Sequence, residues 1–303
     1  MTALLLMATL VIASAAGCNS GEPPAFSADS TLAHVEKQLS FGARVPGTAA
    51  RDSAASYIAH TLERYGATVT VQPFEVDDPY APRRIRMVNI VGSFGADEKR
   101  RLMLASHYDS RPWADQEADS LLHTTPIPGA VDGATSTAIL LEIARLAGAH
   151  APKGTGLDLV FFDGEDYGKE GDINYYVLGS RHFAANLSGY RPAAAVLIDM
   201  VGGAGTTVRR EGNSNGLYPL LVDYVFGRAS ELGLDYFQSE PGAPMLDDHV
   251  PLLKAGIPAV DLFGYDFAAW HTLGDDMSAV DRSKVEQTGT LLRDIVFNFQ
   301  YAH

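Results

Sequence analysis

The chain has 303 residues, 46% of them hydrophobic, and a formal net charge of −14 at pH 7. That is ample apolar material for one large domain or two small ones, and the acidic balance excludes nucleic acid as a partner and disfavours anionic membrane surfaces. Cys18 is the single cysteine, so no internal disulfide exists.

The N-terminus reads as separate from the fold. Ala3 to Ala16 is almost continuously apolar and ends in small residues before Gly17 and Cys18. The run is too short to span a bilayer and reads as the apolar region of a secretory signal. Ala15-Ala16-Gly17-Cys18 resembles a bacterial lipoprotein cleavage box, with Cys18 as lipid acceptor; ordinary secretion with an unpaired cysteine is the alternative. The expectation is an exported protein, periplasmic or on the cell envelope, possessing no membrane contact beyond that lipid. Residues 1–17 form the signal peptide and residues 18–30 a flexible tether.

Helical and strand signals then alternate. Leu32 to Leu39 and Ala54 to Tyr65 have helical spacing, and Ala67 to Phe74, rich in Val and Thr, reads as a strand. Met87 to Phe94 and Leu102 to Ser106 follow as strands around the charged turn Asp97 to Arg101. Ala134 to Ala149 is a helix with Ile139, Leu140, Ile143 and Leu146 on one face. Next come a strand at Leu159 to Phe162, a helix near Ser180 to Asn186 and a strand at Ala193 to Asp199. A helix over Gly216 to Leu232, a strand over Pro258 to Phe263 and a closing helix over Val280 to Phe299 complete the order. This alternation predicts an α/β fold, a single three-layer α/β/α domain over residues 31–303 with a mixed, mostly parallel central sheet. The long segments Arg111 to Val131, Gly164 to Leu178 and Gly264 to Asp276 are loops of the length that usually carries function.

Four apolar runs deliver acids or a histidine at one end: His107 and Asp109; Asp163, Glu165 and Asp166; Asp199; and Asp261. Parallel strands bring those ends to one rim, where open α/β sheets bind ligands. Adjacent acids repel unless a cation or proton neutralises them, and carboxylates with imidazole suit zinc. Asp132, in the glycine-lined turn Gly129-Ala-Val-Asp-Gly133, is either a helix N-cap or a metal ligand; Asp166 and His271 are its natural partners.

Taken together, Phe41-Gly-Ala-Arg-Val-Pro-Gly47, His107-Tyr-Asp-Ser110, Phe161-Phe-Asp-Gly-Glu-Asp166, Tyr176 to Phe183, Leu197-Ile-Asp-Met200, Asp247-Asp-His-Val-Pro-Leu252 and Trp270-His-Thr272 resemble the glutaminyl-peptide cyclotransferases (glutaminyl cyclases) of the animal-like type found also in bacteria. That family shares its fold with zinc-dependent aminopeptidases. The resemblance covers roughly residues 35–300.

The resemblance implies cyclisation of N-terminal glutamine of peptides or proteins to pyroglutamate, with release of ammonia. It implies one Zn²⁺ per chain on Asp132, Asp166 and His271, where animal members usually carry Glu in place of Asp166. Zinc polarises the amide carbonyl, Glu165 shuttles the proton, and Asp199 hydrogen-bonds the tetrahedral intermediate. Asp247 is a buried network acid whose partner here is Asp261, where animal members have histidine; two such carboxylates share a proton. Trp270 walls the glutamine pocket, and Trp113, Met245 and Leu246 are further pocket residues. His107 and Asp109 support the ligands by hydrogen bonds. The Asp132–Gly133 bond is a candidate cis peptide. The alternative is a di-zinc aminopeptidase, in which His107 and Asp199 hold a second metal.

Overall fold

The computed structural model describes residues 22–301. Eight strands form one sheet in the order β1-β2-β4-β3-β5-β8-β6-β7. They are β1 (Thr68–Asp77), β2 (Arg84–Phe94), β3 (Arg101–His107), β4 (Gly156–Phe162), β5 (Ala194–Asp199), β6 (Thr207–Arg210), β7 (Phe237–Pro241) and β8 (Ala259–Tyr265). The central four, β4, β3, β5 and β8, are mutually parallel. An antiparallel hairpin, β1 and β2, extends one side, and β6 joins β8 antiparallel on the other. The sheet is therefore mixed with a parallel centre, as expected.

The central strands are near-continuous apolar runs because both faces are covered. Alternation splits each strand between two cores. Leu102, Leu104, Leu159, Phe161, Val196, Ile198, Val260 and Leu262 pack under α2 (Ala49–Arg64), α3 (Ser136–Ala149), α6 (Pro219–Glu231) and α8 (Arg282–Phe297). Met103, Ala105, Val160, Phe162, Ala195, Leu197 and Ala259 face α4 (Leu178–Ala185) and α7 (His249–Lys254), which contribute Phe183, Leu252 and Leu253. Three layers result.

Three boundaries differ from expectation. First, the stretch expected to be a tether is docked from residue 22 onward as far as it is described. Ser27 caps α1 (Ala28–Leu39) by accepting from Ser30 N, Phe26 packs against the main core, and Arg293 donates to the carbonyls of Pro23 and Pro24. Local composition, Pro, Gly and Ser, mimics a linker there; packing against α8 overrides it. Second, the expected helix Gly216 to Leu232 is two, α5 (Gly212–Leu217) and α6, broken at Tyr218. Pro219 bars the residue before it from helical geometry and itself opens the next helix. Third, α2 starts earlier than its apolar pattern because Thr48 accepts from Arg51 N and caps a polar first turn. The signal segment and Cys18 lie outside the described residues. Among the described residues, no helix is long and apolar enough to cross a membrane.

Candidate active site

Strand order reverses between β3 and β5, which opens a crevice at their C-terminal ends. His107 ends β3 on one side and Asp199 ends β5 on the other, with His107 Nε2 3.0 Å from Asp199 Oδ1. Asp163, Glu165 and Asp166 follow the end of β4. Asp261 does not share this rim. It is the third residue of β8, level with Leu197, so it lies one residue pair below Asp199 in the sheet. The apolar run that suggested a strand end at Asp261 continues through Leu262 and Phe263, which the charge interrupts without ending the strand.

Asp132 sits in an irregular turn, Ala130–Thr135, that enters α3. The Asp132–Gly133 peptide is cis, and a Cβ on Gly133 would lie 2.5 Å from His107 Nε2, so only glycine lets the turn approach β3. Asp275 holds the turn by accepting from Val131 N at 2.8 Å and Asp132 N at 3.2 Å. Burial, with Asp132 close by, pushes the Asp275 carboxyl up to about 8. The two Asp132 oxygens are divided. Oδ1 lies 3.1 Å from His107 Nε2, and Oδ2 lies 3.8 Å from His271 Nε2. Asp166 Oδ2 is 3.5 Å from the same His271 nitrogen. Both Oδ2 atoms are buried without a hydrogen-bond partner. Tetrahedral zinc with bonds of about 2.0–2.1 Å separates its ligand atoms by about 3.4 Å, so this trio fits zinc. His271 reaches it from a left-handed backbone conformation, φ 55°, that a non-glycine residue adopts at a cost of about 1–3 kcal/mol.

The support behind the trio is specific. Asp109 accepts from Glu165 N at 3.2 Å and Asp166 N at 3.3 Å, and its Oδ1 faces His107 Nδ1 at 3.4 Å. It thereby ties the β3 end to the β4 loop. Burial raises the Asp166 carboxyl to about 6, Arg111 and His271 opposing and Asp132 adding to the rise. Glu165 is also buried and is pushed well above the usual carboxylate range, first by burial and then by Asp166. Asp163, by contrast, belongs to the frame: it accepts from Val88 N at 2.7 Å and pairs with Arg51 at 3.4 Å.

A second buried group lies beside the first. Asp247 Oδ1 accepts from Asp248 N, and Asp247 Oδ2 and both Asp261 carboxylate oxygens have no hydrogen bond of ordinary geometry. Burial, with Asp199 near, raises Asp247 to about 7; burial and Asp247 push Asp261 well up. Behind Asp261 stands His249, with Nδ1 3.2 Å from Asp261 Oδ2 and Nε2 3.0 Å from Glu211 Oε2. Glu211 accepts from Asn213, Ser214 and Met245 backbone N–H groups as well.

Trp270 is 42% exposed at the rim and lies against His271, ring centroids 3.9 Å apart. Leu246 is 41% exposed. Met245 packs beside Val131, Met200, Phe263, Tyr265 and Phe267 in a small apolar cluster. Trp113 stands with Tyr80, edge to face at 5.5 Å, and donates to Tyr167 O at 3.1 Å. The residues that pattern reading missed are Arg111, Asp115, Asp275, Glu211 and the role of His249. Arg111 and Asp115 follow His107-Tyr-Asp-Ser110 directly, so proximity to that motif was their one signal. Glu211 lies far from every motif and carried none.

The family model for peptidase family M28 matches residues 89–296. Bovine glutaminyl-peptide cyclotransferase is 27% identical over 297 residues, covering 86% of this chain and 79% of that protein. The crystal structure of glutaminyl cyclase from Bacteroides thetaiotaomicron superposes with a TM-score of 0.88 at 34% identity, covering 92% of this chain and 100% of that one. A zinc-dependent exopeptidase from Parabacteroides distasonis superposes with a TM-score of 0.87 at 35% identity, covering 91% and 100%. The chain belongs to peptidase family M28 and, within that fold, to the glutaminyl-peptide cyclotransferases.

Proposed function

We propose that this enzyme cyclises N-terminal glutamine of peptides and proteins to pyroglutamate, with one zinc ion per chain held by Asp132, Asp166 and His271. The observation that carries the single-metal reading is the contrast between two trios that share Asp132. Around His271, two orphaned oxygens face one imidazole nitrogen at 3.5 and 3.8 Å. Around His107, Nε2 already meets Asp132 and Asp199 at hydrogen-bonding distances of 3.1 and 3.0 Å. The glutaminyl cyclase relatives support the cyclase reading.

Bound at its trio, zinc supplies a Lewis acid for the side-chain carboxamide. The rest of the reaction belongs to the chain. Nucleophile and electrophile are one residue of substrate, so the pocket has only to fold the glutamine until its α-nitrogen meets Cδ. Glu165 takes a proton from the attacking amine as the N–Cδ bond forms. It returns the proton to the leaving nitrogen as the Cδ–N bond breaks, and ammonia departs. Burial and the neighbouring Asp166 raise its carboxyl above the usual carboxylate range, which strengthens it as the base that takes the amine proton. Asp199, on the crevice wall opposite His107, accepts a hydrogen bond from the nitrogen of the tetrahedral intermediate. Asp247 and Asp261 share a proton below it, and Trp270 closes the pocket mouth.

The aminopeptidase reading rests on the cluster His107, Asp132 and Asp199, whose ligand atoms also lie within 4.8 Å of one another. A peptide beginning with glutamine separates the two. The expected products are ammonia and a blocked peptide of unchanged length; released free glutamine overturns the cyclase reading.

The same proposal places the enzyme outside the cytoplasm, tethered through lipidated Cys18 with residues 1–17 removed and the catalytic domain following. Its support is the apolar run from Ala3 to Ala16 before Gly17-Cys18. Labelled fatty acid should enter the wild-type protein and not Cys18→Ser.

A further inference from the structure

One buried cation stands behind the proposed zinc ligands. The Arg111 side chain has 0% of its surface exposed. Its guanidinium is divided between two acids. Nη1 donates to Asp166 Oδ1 at 2.5 Å, while Nε and Nη2 hold Asp115 at 2.9 and 2.5 Å. Nη2 also donates to the Tyr176 hydroxyl at 2.9 Å. Asp115 Oδ1 in turn faces His271 Nδ1 at 3.5 Å. One planar fork thus reaches two of the three proposed ligands, Asp166 directly and His271 through Asp115.

We infer that Arg111 is a positioning residue for the metal. It occupies Asp166 Oδ1 so that Oδ2 alone faces the site, and it holds Asp115 where that carboxylate turns His271 Nε2 inward. The inference rests on Asp132, Asp166 and His271 being the metal ligands. Three observations carry it. An ordinary buried Arg–carboxylate pair is satisfied by one bidentate contact, which Nε and Nη2 already make with Asp115; Nη1 reaches beyond it to Asp166, and the oxygen left free on Asp166 has no partner. A carboxylate behind a histidine is the arrangement that orients metal-binding imidazoles. Within this set, Asp115, Asp132 and Asp166 against Arg111 leave two negative charges, which one divalent cation neutralises. Arg111 also offsets the shortness of Asp166. A shorter side chain has less freedom to find the metal, and a fixed guanidinium sets its direction in advance.

The test is chelator competition for zinc on the purified full-length enzyme, with the visible spectrum of the cobalt-substituted form as a second readout. Arg111→Met is expected to weaken zinc about 10–100-fold, the usual loss for a residue that orients ligands, and to alter the cobalt spectrum. Arg111→Lys restores charge but not the fork, so it is expected to recover little of the affinity; full recovery would show that charge alone matters and overturn the positioning role. Asp115→Asn leaves Arg111 in place and is the second arm should Arg111→Met not fold. It too is expected to weaken zinc, and unchanged affinity would remove the route through Asp115. Wild-type enzyme that binds no zinc defeats the metal reading itself. Zinc-binding wild type with unaffected, folded variants defeats only the role of Arg111.

Discussion

His107 and Asp199 face each other across the crevice between β3 and β5, Nε2 to Oδ1 at 3.0 Å. On the proposed single-zinc reading, this pair stays a direct contact between side chains. A second ion would have to take the place of this contact and of the one from His107 to Asp132. Metal analysis of the purified enzyme is therefore expected to give close to one zinc per chain. Two tightly held zincs would return the enzyme to di-metal hydrolysis.

Glu165→Gln keeps the size of the side chain and removes its ability to carry a proton. Turnover is expected to fall by about 10²–10⁴-fold, with zinc content and substrate affinity retained. Near-normal turnover would remove Glu165 from the proton path.

Asp261→Asn replaces an oxygen that faces His249 with an amide. It would break the proposed proton sharing with Asp247 while leaving the proposed metal ligands alone. A loss of roughly tenfold in kcat is expected, smaller than for a direct acid–base group, with zinc binding unchanged. A variant as active as wild type would show that the lower network plays no part.

Glu211 makes the same network sensitive to acid. Burial alone would raise its carboxyl, but His249 and backbone donors outweigh burial and hold it at about 2. A depressed folded value stabilises the fold above the unfolded value and loses that contribution as pH falls toward 2. Glu211→Gln is expected to cost about 2–3 kcal/mol at neutral pH. Urea melts at pH 7 and near pH 2 check this: the gap between wild type and variant should close on acidification. A gap that stays constant would mean the loss comes from packing.

Trp270→Ala removes a half-exposed wall that lies against His271 while leaving every proposed ligand in the chain. KM is expected to rise about tenfold or more, because the ring's buried apolar area, worth roughly 1.5–3 kcal/mol, no longer covers the bound side chain. If kcat alone changed, the indole would be acting on His271, against which it lies.

The period of apolar residues along the chain was enough to give the strands β3, β4, β5 and β8, the helices α3 and α8, and the acids gathered at strand ends. These signals are local: a buried parallel strand must be apolar on both faces, and charge can collect only where it stops. Motif order carried the trio Asp132, Asp166 and His271 as expected ligands. Short strands such as β6, with four residues, were illegible because so few positions give no period. Asp261 looked like a strand end since one charge reads as a stop, and only β5 and α7 beside it reveal that its partners make it tolerable inside a sheet. Glu211, His249, Asp115 and Arg111 acquire their partners from distant segments, and no spacing rule links residue 211 to 249 or 115 to 271. Their contacts arise when separate loops fold over one rim. Burial then makes each unpaired charge so costly that the neighbours, absent from any local pattern, determine what each acid can do.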